Sequence, residues 1–251
     1  LSCSSAASDV YKRQKQFDTY TSELYELASR LDQLKRPVII YIGGAPGTGK
    51  SMLATSLATR LGINKVISTD SIREIMRLAF SNDLLPTLFH STTEAWKGLP
   101  MEFQSSEQLI AGYCLQANQV SLGVRAVVER TVEEGENLIV EGAHLVPFLH
   151  EIAKKEMVDA YHIPITLSIM NEKHHRERFS ERGTKNLRKI ENFYLERFDG
   201  IRSIHEYTLT QCETDEVEVF DNEDLDETLN LIIQFSIQRL FKQVNLSLIH
   251  I

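Results

Sequence analysis

Residues 38–61 constrain this chain more than any other stretch. The apolar, largely β-branched run Val38-Ile39-Ile40-Tyr41-Ile42 leads into Gly43-Gly44-Ala45-Pro46-Gly47-Thr48-Gly49-Lys50-Ser51, and from Ser51 onward Leu53, Leu57 and Leu61 share one helical face. A strand, a glycine-rich turn and a helix in that order make a phosphate-binding loop, or P-loop. The glycines permit positive φ and close backbone approach, so successive N–H groups can face an anion. The helix adds the positive end of its dipole at the same point. Lys50 has the reach for the β- and γ-phosphates, and the Ser51 hydroxyl is the expected Mg²⁺ ligand. Gly44, Ala45, Pro46, Gly47, Thr48, Gly49, Lys50 and Ser51 are therefore the candidate nucleotide-binding residues, with ATP and Mg²⁺ as the expected cofactors.

The remaining pattern is that of one α/β domain. The 251 residues suffice for a single full core, and the composition, 42% hydrophobic and 25% charged, is that of a globular protein. No apolar run approaches a membrane span. Cys3, Cys114 and Cys212 have no paired spacing, so neither a disulfide framework nor a zinc site is indicated, and a reducing cytoplasmic setting is expected. A formal net charge of −8 argues against nucleic acid and anionic membrane as partners, since both need a basic surface. A small anionic acceptor needs only a few local arginines and is still allowed.

Phe17, Tyr20, Leu24, Leu27, Leu31 and Leu34 form an apolar stripe on an expected helix over residues 15–36, which packs on its own domain or forms a dimer seam, leaving monomer and homodimer both open. Residues 1–14 and 245–251 read as non-native or disordered tails around a domain at 37–244. Lys65-Val66-Ile67-Ser68-Thr69 is a second strand ending in Asp70. Ligands bind at that edge of open α/β sheets. Asp70 is either an N-cap or a functional carboxylate; Arg73 and Arg77 project from one face of the helix that follows. Ser105 and Gln108 suggest a capping box opening a long helix to about Gly135. Asn137 to Glu141 is a third strand closing in an acid, the place for a second metal-handling group. His144 follows it, read as a satisfied strand-end histidine or a catalytic group. Ile165 to Met170 is a fourth strand, and Glu216 to Phe220 a fifth within the acidic, solvated stretch Glu213–Glu227. Between them the span 171–190 is locally basic, and Arg176, Arg178 and Arg182 are expected on a lid closing over the phosphates. Leu229, Ile232, Ile233, Ile237 and Leu240 mark a final amphipathic helix.

Five strands alternating with helices, with the phosphate loop after the first, define a P-loop NTPase fold with a nucleoside-monophosphate-kinase-like five-stranded parallel sheet flanked by helices. Five ordered segments add to this: the P-loop, Ser68-Thr69-Asp70-Ser71-Ile72-Arg73-Glu74-Ile75-Met76-Arg77, His90-Ser91 with Glu94-Ala95-Trp96, Glu141-Gly142-Ala143-His144-Leu145-Val146-Pro147, and His175-Arg176-Glu177-Arg178-Phe179. Together they resemble the 2-phosphoglycerate kinase family over roughly residues 36–239. The resemblance implies a phosphotransferase that moves the γ-phosphoryl group of ATP to a hydroxyl of a small phosphorylated acid, with 2-phosphoglycerate to 2,3-bisphosphoglycerate as the name reaction. On this reading Lys50, Asp70, Glu141, Arg176 and Arg178 act in transfer, Ser51 and Glu141 handle the metal, and Arg182 helps bind nucleotide. Asp70, Arg73, Arg77, His90 and His144 meet the acceptor, and adenine lies near Asn222. A kinase of another anionic alcohol, such as an inositol or sugar phosphate, and a non-catalytic ATP-binding switch are the alternatives.

Overall fold

The computed structural model describes residue 31 and residues 34–100, 107–149, 151, 159–181 and 188–249. Strands β1 (Val38–Gly43), β2 (Lys65–Ser68), β3 (Leu138–Glu141), β4 (Tyr161–Ser168) and β5 (Glu218–Asp221) form one five-stranded sheet, paired in parallel in the order β2-β3-β1-β4-β5. Helices α1 (Lys50–Leu61), α2 (Thr69–Ala79), α3 (Gln108–Glu133), α4 (Glu172–Glu181), α5 (Arg188–Glu196), α6 (Phe198–Asp215) and α7 (Leu225–Ile249) connect and flank them. Short 3₁₀ turns lie at Pro86–Phe89, Thr92–Gly98 and Ala143–Phe148.

Every residue of β1 is buried, because helices cover both faces of the sheet. Val38, Ile40 and Ile42 pack with Leu53, Leu57 and Leu61 of α1 and Leu229, Ile232 and Ile237 of α7. Ile39 and Tyr41 point the other way, into Ile72 and Met76 of α2 and Val120, Val124 and Val128 of α3. The period-2 alternation of one strand thus feeds two separate cores.

Several boundaries differ from the sequence reading, each for a physical reason. Strand β2 stops at Ser68, whose side chain accepts a hydrogen bond from the Ser71 N–H at 3.0 Å and caps α2. Asp70 is therefore not the N-cap; it sits in the first turn, where a carboxylate also suits the helix dipole. Strand β4 begins at Tyr161 and not Ile165, and includes Pro164. Pairing with β5 starts only at Ile165, so Pro164 lies where one side of β4 is an edge, and its missing N–H breaks no ladder. The acidic stretch Glu213–Glu227 is not all solvated: it carries β5, and Asp215 and Asn222 within it are buried.

Most of the expected helix over residues 15–36 lies outside the described residues, as does Ser105 of the capping box. At its end Leu31 is buried in the α1 and α7 core, with Leu34 packed against it. The α7 backbone continues to Ile249, past the boundary expected at residue 244.

Candidate active site

The parallel register sets the chemistry along one edge. Ile42 of β1 lies opposite Glu141 of β3, and Glu141 opposite Ser68 of β2, so the P-loop, the Glu141 carboxylate and the start of α2 emerge side by side. In the loop Gly44, Gly47 and Gly49 take φ values of 140°, 85° and 90°, a backbone that side chains would resist. Thr48 Oγ1 donates to the Ala45 carbonyl at 3.0 Å, and Lys50 Nζ donates to the same oxygen at 2.7 Å. The lysine is thus folded back on its own loop, beside the uncapped N-terminus of α1, which has no acid in its first turn.

Ser51 Oγ donates to Glu141 Oε1 at 2.9 Å. The two residues expected to handle a metal are in direct contact, one at the start of α1 and one at the end of β3. Their donor set is oxygen only. That suits a hard cation such as Mg²⁺, which takes one or two carboxylates and leaves its other positions to water and phosphate. Among the described residues no group of three or more His, Cys, Asp or Glu could hold a metal unaided.

A second layer grips the loop from the β4 and β5 side. His175 of α4 is fully buried; its Nε2–H donates to the Pro46 carbonyl at 2.8 Å, while Nδ1 faces Arg202 Nη1 at 3.4 Å. One turn on, the Phe179 ring packs so closely that a Cβ at Gly47 would lie 2.3 Å from its Cζ. Arg178 donates to the Asn222 and Glu223 carbonyls, and its Nη1 would be 3.2 Å from a Cβ at Gly49. Asn222 Nδ2 donates to the Thr48 carbonyl at 2.8 Å. Much of α4, the amino-terminal half of the span read as a lid, is therefore wall to the phosphate loop. Arg176 is exposed, its guanidinium 4.2 Å from the centroid of Phe198. Arg182 lies outside the described residues.

On the other side of Glu141, Asp70 is well exposed, 3.5 Å from Arg73 Nε. Arg73 is largely buried: Nη1 donates to the Leu88 and His90 carbonyls at 3.0 and 3.1 Å, and Nη2 pairs with Glu74 at 2.9 Å. Arg77 pairs with both Glu74 oxygens at 2.9 Å and lies over the Phe89 ring. His144 is buried, with Nδ1 2.8 Å from Thr69 Oγ1 and Nε2 3.1 Å from Gln116 Oε1. His90 carries the carbonyl that Arg73 and Gln116 share, at 3.1 and 3.0 Å.

Sequence reasoning missed Thr69, Gln116 and the packing of His175 and Phe179. A signal existed for two of these. Gln116 interrupts the apolar stripe of α3 three residues after Tyr113 and four before Val120, and His175 and Phe179 stand four apart inside a charged run.

Burial lowers the pKa of His144 to about 4, against a raising effect of Asp70 and with Arg73 and Lys50 adding to the fall. Burial likewise lowers His175 to about 4, with Arg202, Lys50 and Arg178 adding to it and the Pro46 carbonyl opposing, and His205 to about 3, with Arg202 and His175 adding. All three are neutral when folded and would charge below about pH 6.5 when unfolded. Stability should therefore be level above that pH and fall as pH drops toward 4, by several kcal/mol in total at about 1.4 per pKa unit per group. Calorimetry at pH 8.5, 7.5 and 5.5 should give nearly equal Tm values at the first two and a clear drop at the third. A Tm unchanged at pH 5.5 would contradict the buried neutral histidines.

A parallel five-stranded sheet with a P-loop, a loop lysine and a serine–carboxylate pair beside an exposed acid defines an ATP-dependent phosphotransferase, a kinase with an alcohol group as acceptor. The family model described as an AAA domain matches residues 40–199. A 2-phosphoglycerate kinase of Methanopyrus kandleri is 36% identical over 245 residues, covering 96% of this chain and 73% of that one. One from Methanocaldococcus jannaschii is 38% identical over 212 residues, covering 84% and 67%. The chain belongs to the 2-phosphoglycerate kinase family. A solved gluconokinase from Sinorhizobium meliloti 1021 aligns over 85% of this chain and 99% of its own at 14% identity and a TM-score of 0.47. No helix among the described residues is long and apolar enough to cross a membrane.

Proposed function

We propose that this chain transfers the γ-phosphoryl group of ATP to the free hydroxyl of 2-phosphoglycerate, yielding ADP and 2,3-bisphosphoglycerate. The observation that carries this reading is the register that sets Ser51 and Glu141 between the phosphate loop and the first turn of α2. Phosphoryl transfer demands alignment and charge neutralisation more than covalent help from the protein. Loop N–H groups hold the β- and γ-phosphates, and Lys50 leaves the Ala45 carbonyl to join them. Mg²⁺, held through Ser51 and Glu141, neutralises phosphate charge when bound. Asp70 orients the acceptor hydroxyl and accepts its proton as the new P–O bond forms. Arg73, Arg77, His90 and His144 make the acceptor side; Arg176, Arg178 and Arg182 balance charge on the nucleotide side.

Arg73→Ala is expected to raise the acceptor KM by about tenfold, since both a charge partner and two carbonyl contacts are lost. The ATP KM should stay within about twofold. A rise in the ATP KM alone would remove α2 from the acceptor side. The acceptor itself is tested with labelled ATP, Mg²⁺ and a panel of 2-phosphoglycerate, 3-phosphoglycerate, inositol phosphates and sugar phosphates. Fastest labelling of 2-phosphoglycerate supports the proposal. Labelling of an inositol phosphate in preference would overturn the acceptor and leave the kinase.

A further inference from the structure

Gln116 of α3 touches no open surface, yet both ends of its amide are used. Nε2 lies 2.6 Å from the Thr87 carbonyl and 3.0 Å from the His90 carbonyl, and Oε1 lies 3.1 Å from His144 Nε2. Two carbonyl partners fix the NH₂ end as donor, so Oε1 is the acceptor. His144 must then carry its proton on Nε2, and its bare Nδ1 accepts from the Thr69 hydroxyl at 2.8 Å. Thr69 precedes Asp70 and presses on the backbone just past Glu141, where a Cβ at Gly142 would be 1.8 Å from Thr69 Oγ1.

The chain of contacts therefore runs from the metal-side strand end, through Thr69 at the root of Asp70, to the 3₁₀ turn Pro86–Phe89 and His90, where Arg73 also donates to the Leu88 and His90 carbonyls. We propose that Gln116 is a positioning residue for the acceptor: with His144 locked in the Nε2–H form, it fixes the distance between Asp70 and the 86–90 segment. Gln116 does this without touching either substrate. Only a side chain with two donors and an acceptor at one end satisfies all three partners, so neither Glu nor Met can replace it. The inference rests on the assignment of α2 and residues 86–90 to the acceptor side.

Gln116→Met keeps the length and removes every polar contact. It should raise the KM for 2-phosphoglycerate by about tenfold or more, with the ATP KM within about twofold, because unpaired buried carbonyls shift the segment they belong to. Gln116→Glu sets a carboxylate against the imidazole, so His144 should take up a proton near neutral pH and the pH profile of the acceptor KM should shift from that of the parent chain. Nitrogen-15 NMR of the imidazoles tests the network directly, and needs no acceptor. The unsubstituted protein should show His144 neutral with its proton on Nε2 at pH 7. Finding the Nδ1–H form or an imidazolium there would overturn the inference, as would equal rises in both KM values for Gln116→Met. Lack of turnover with 2-phosphoglycerate in the unsubstituted protein would instead overturn the proposed acceptor, and the His144 spectrum alone would then decide the network.

Discussion

Replacing Lys50 by alanine should lower kcat by about 10³-fold or more while leaving the protein folded, because the charge it brings to the transferring phosphate has no substitute within the loop. Lys50 is buried, at 8% exposure, and its ammonium is held 2.7 Å from the Ala45 carbonyl. That contact costs little to exchange for a phosphate oxygen, which offers full negative charge in place of a carbonyl dipole. Steady-state kinetics with saturating MgATP measures the loss, and an unchanged Tm separates it from unfolding. Retention of more than about a tenth of kcat would mean that the loop binds phosphate without taking part in its transfer.

The second large effect is expected at Asp70. Asp70→Asn keeps the shape and the position in the first turn of α2 but removes the proton acceptor. Transfer should slow by about 10²–10⁴-fold with the ATP KM nearly unchanged, the range typical of a lost general base. Asp70 is well exposed and lies 3.5 Å from Arg73 Nε, which leaves the carboxylate open to a substrate hydroxyl. Asp70 does not cap α2, since Ser68 does, so the substitution should cost little stability. An unchanged kcat in this variant would remove Asp70 from the chemistry.

The core of this account could be read from residue order because strand, loop and helix are local. Val38 to Leu61 needed no distant information, and the acid closing β3 stood where a P-loop partner belongs; its 2.9 Å contact with Ser51 spans 90 residues but follows from parallel pairing of β1 with β3. Contacts that depend on how helices settle were not legible. The basic run after β4 suggested a lid closing arginines over the phosphates, whereas His175 and Phe179, four apart, bury one face of α4 against Pro46 and Gly47. In sequence Gln116 is only a polar residue within the apolar stripe of α3, and the approach of residues 86–90 and 144 is what gives it three partners. Pro164 hid the first half of β4, since no single sequence shows where a neighbouring strand begins.

On the proposed function, the phosphoryl group bound by the P-loop goes to the hydroxyl of 2-phosphoglycerate. Phosphorus NMR of the protein with MgATP and 2-phosphoglycerate follows it most directly. The γ-phosphate signal of ATP should decline in step with the appearance of ADP and one new phosphomonoester coupled to the same glycerate carbon chain. ADP accumulating with inorganic phosphate alone, or ATP persisting beside unchanged 2-phosphoglycerate, would contradict it.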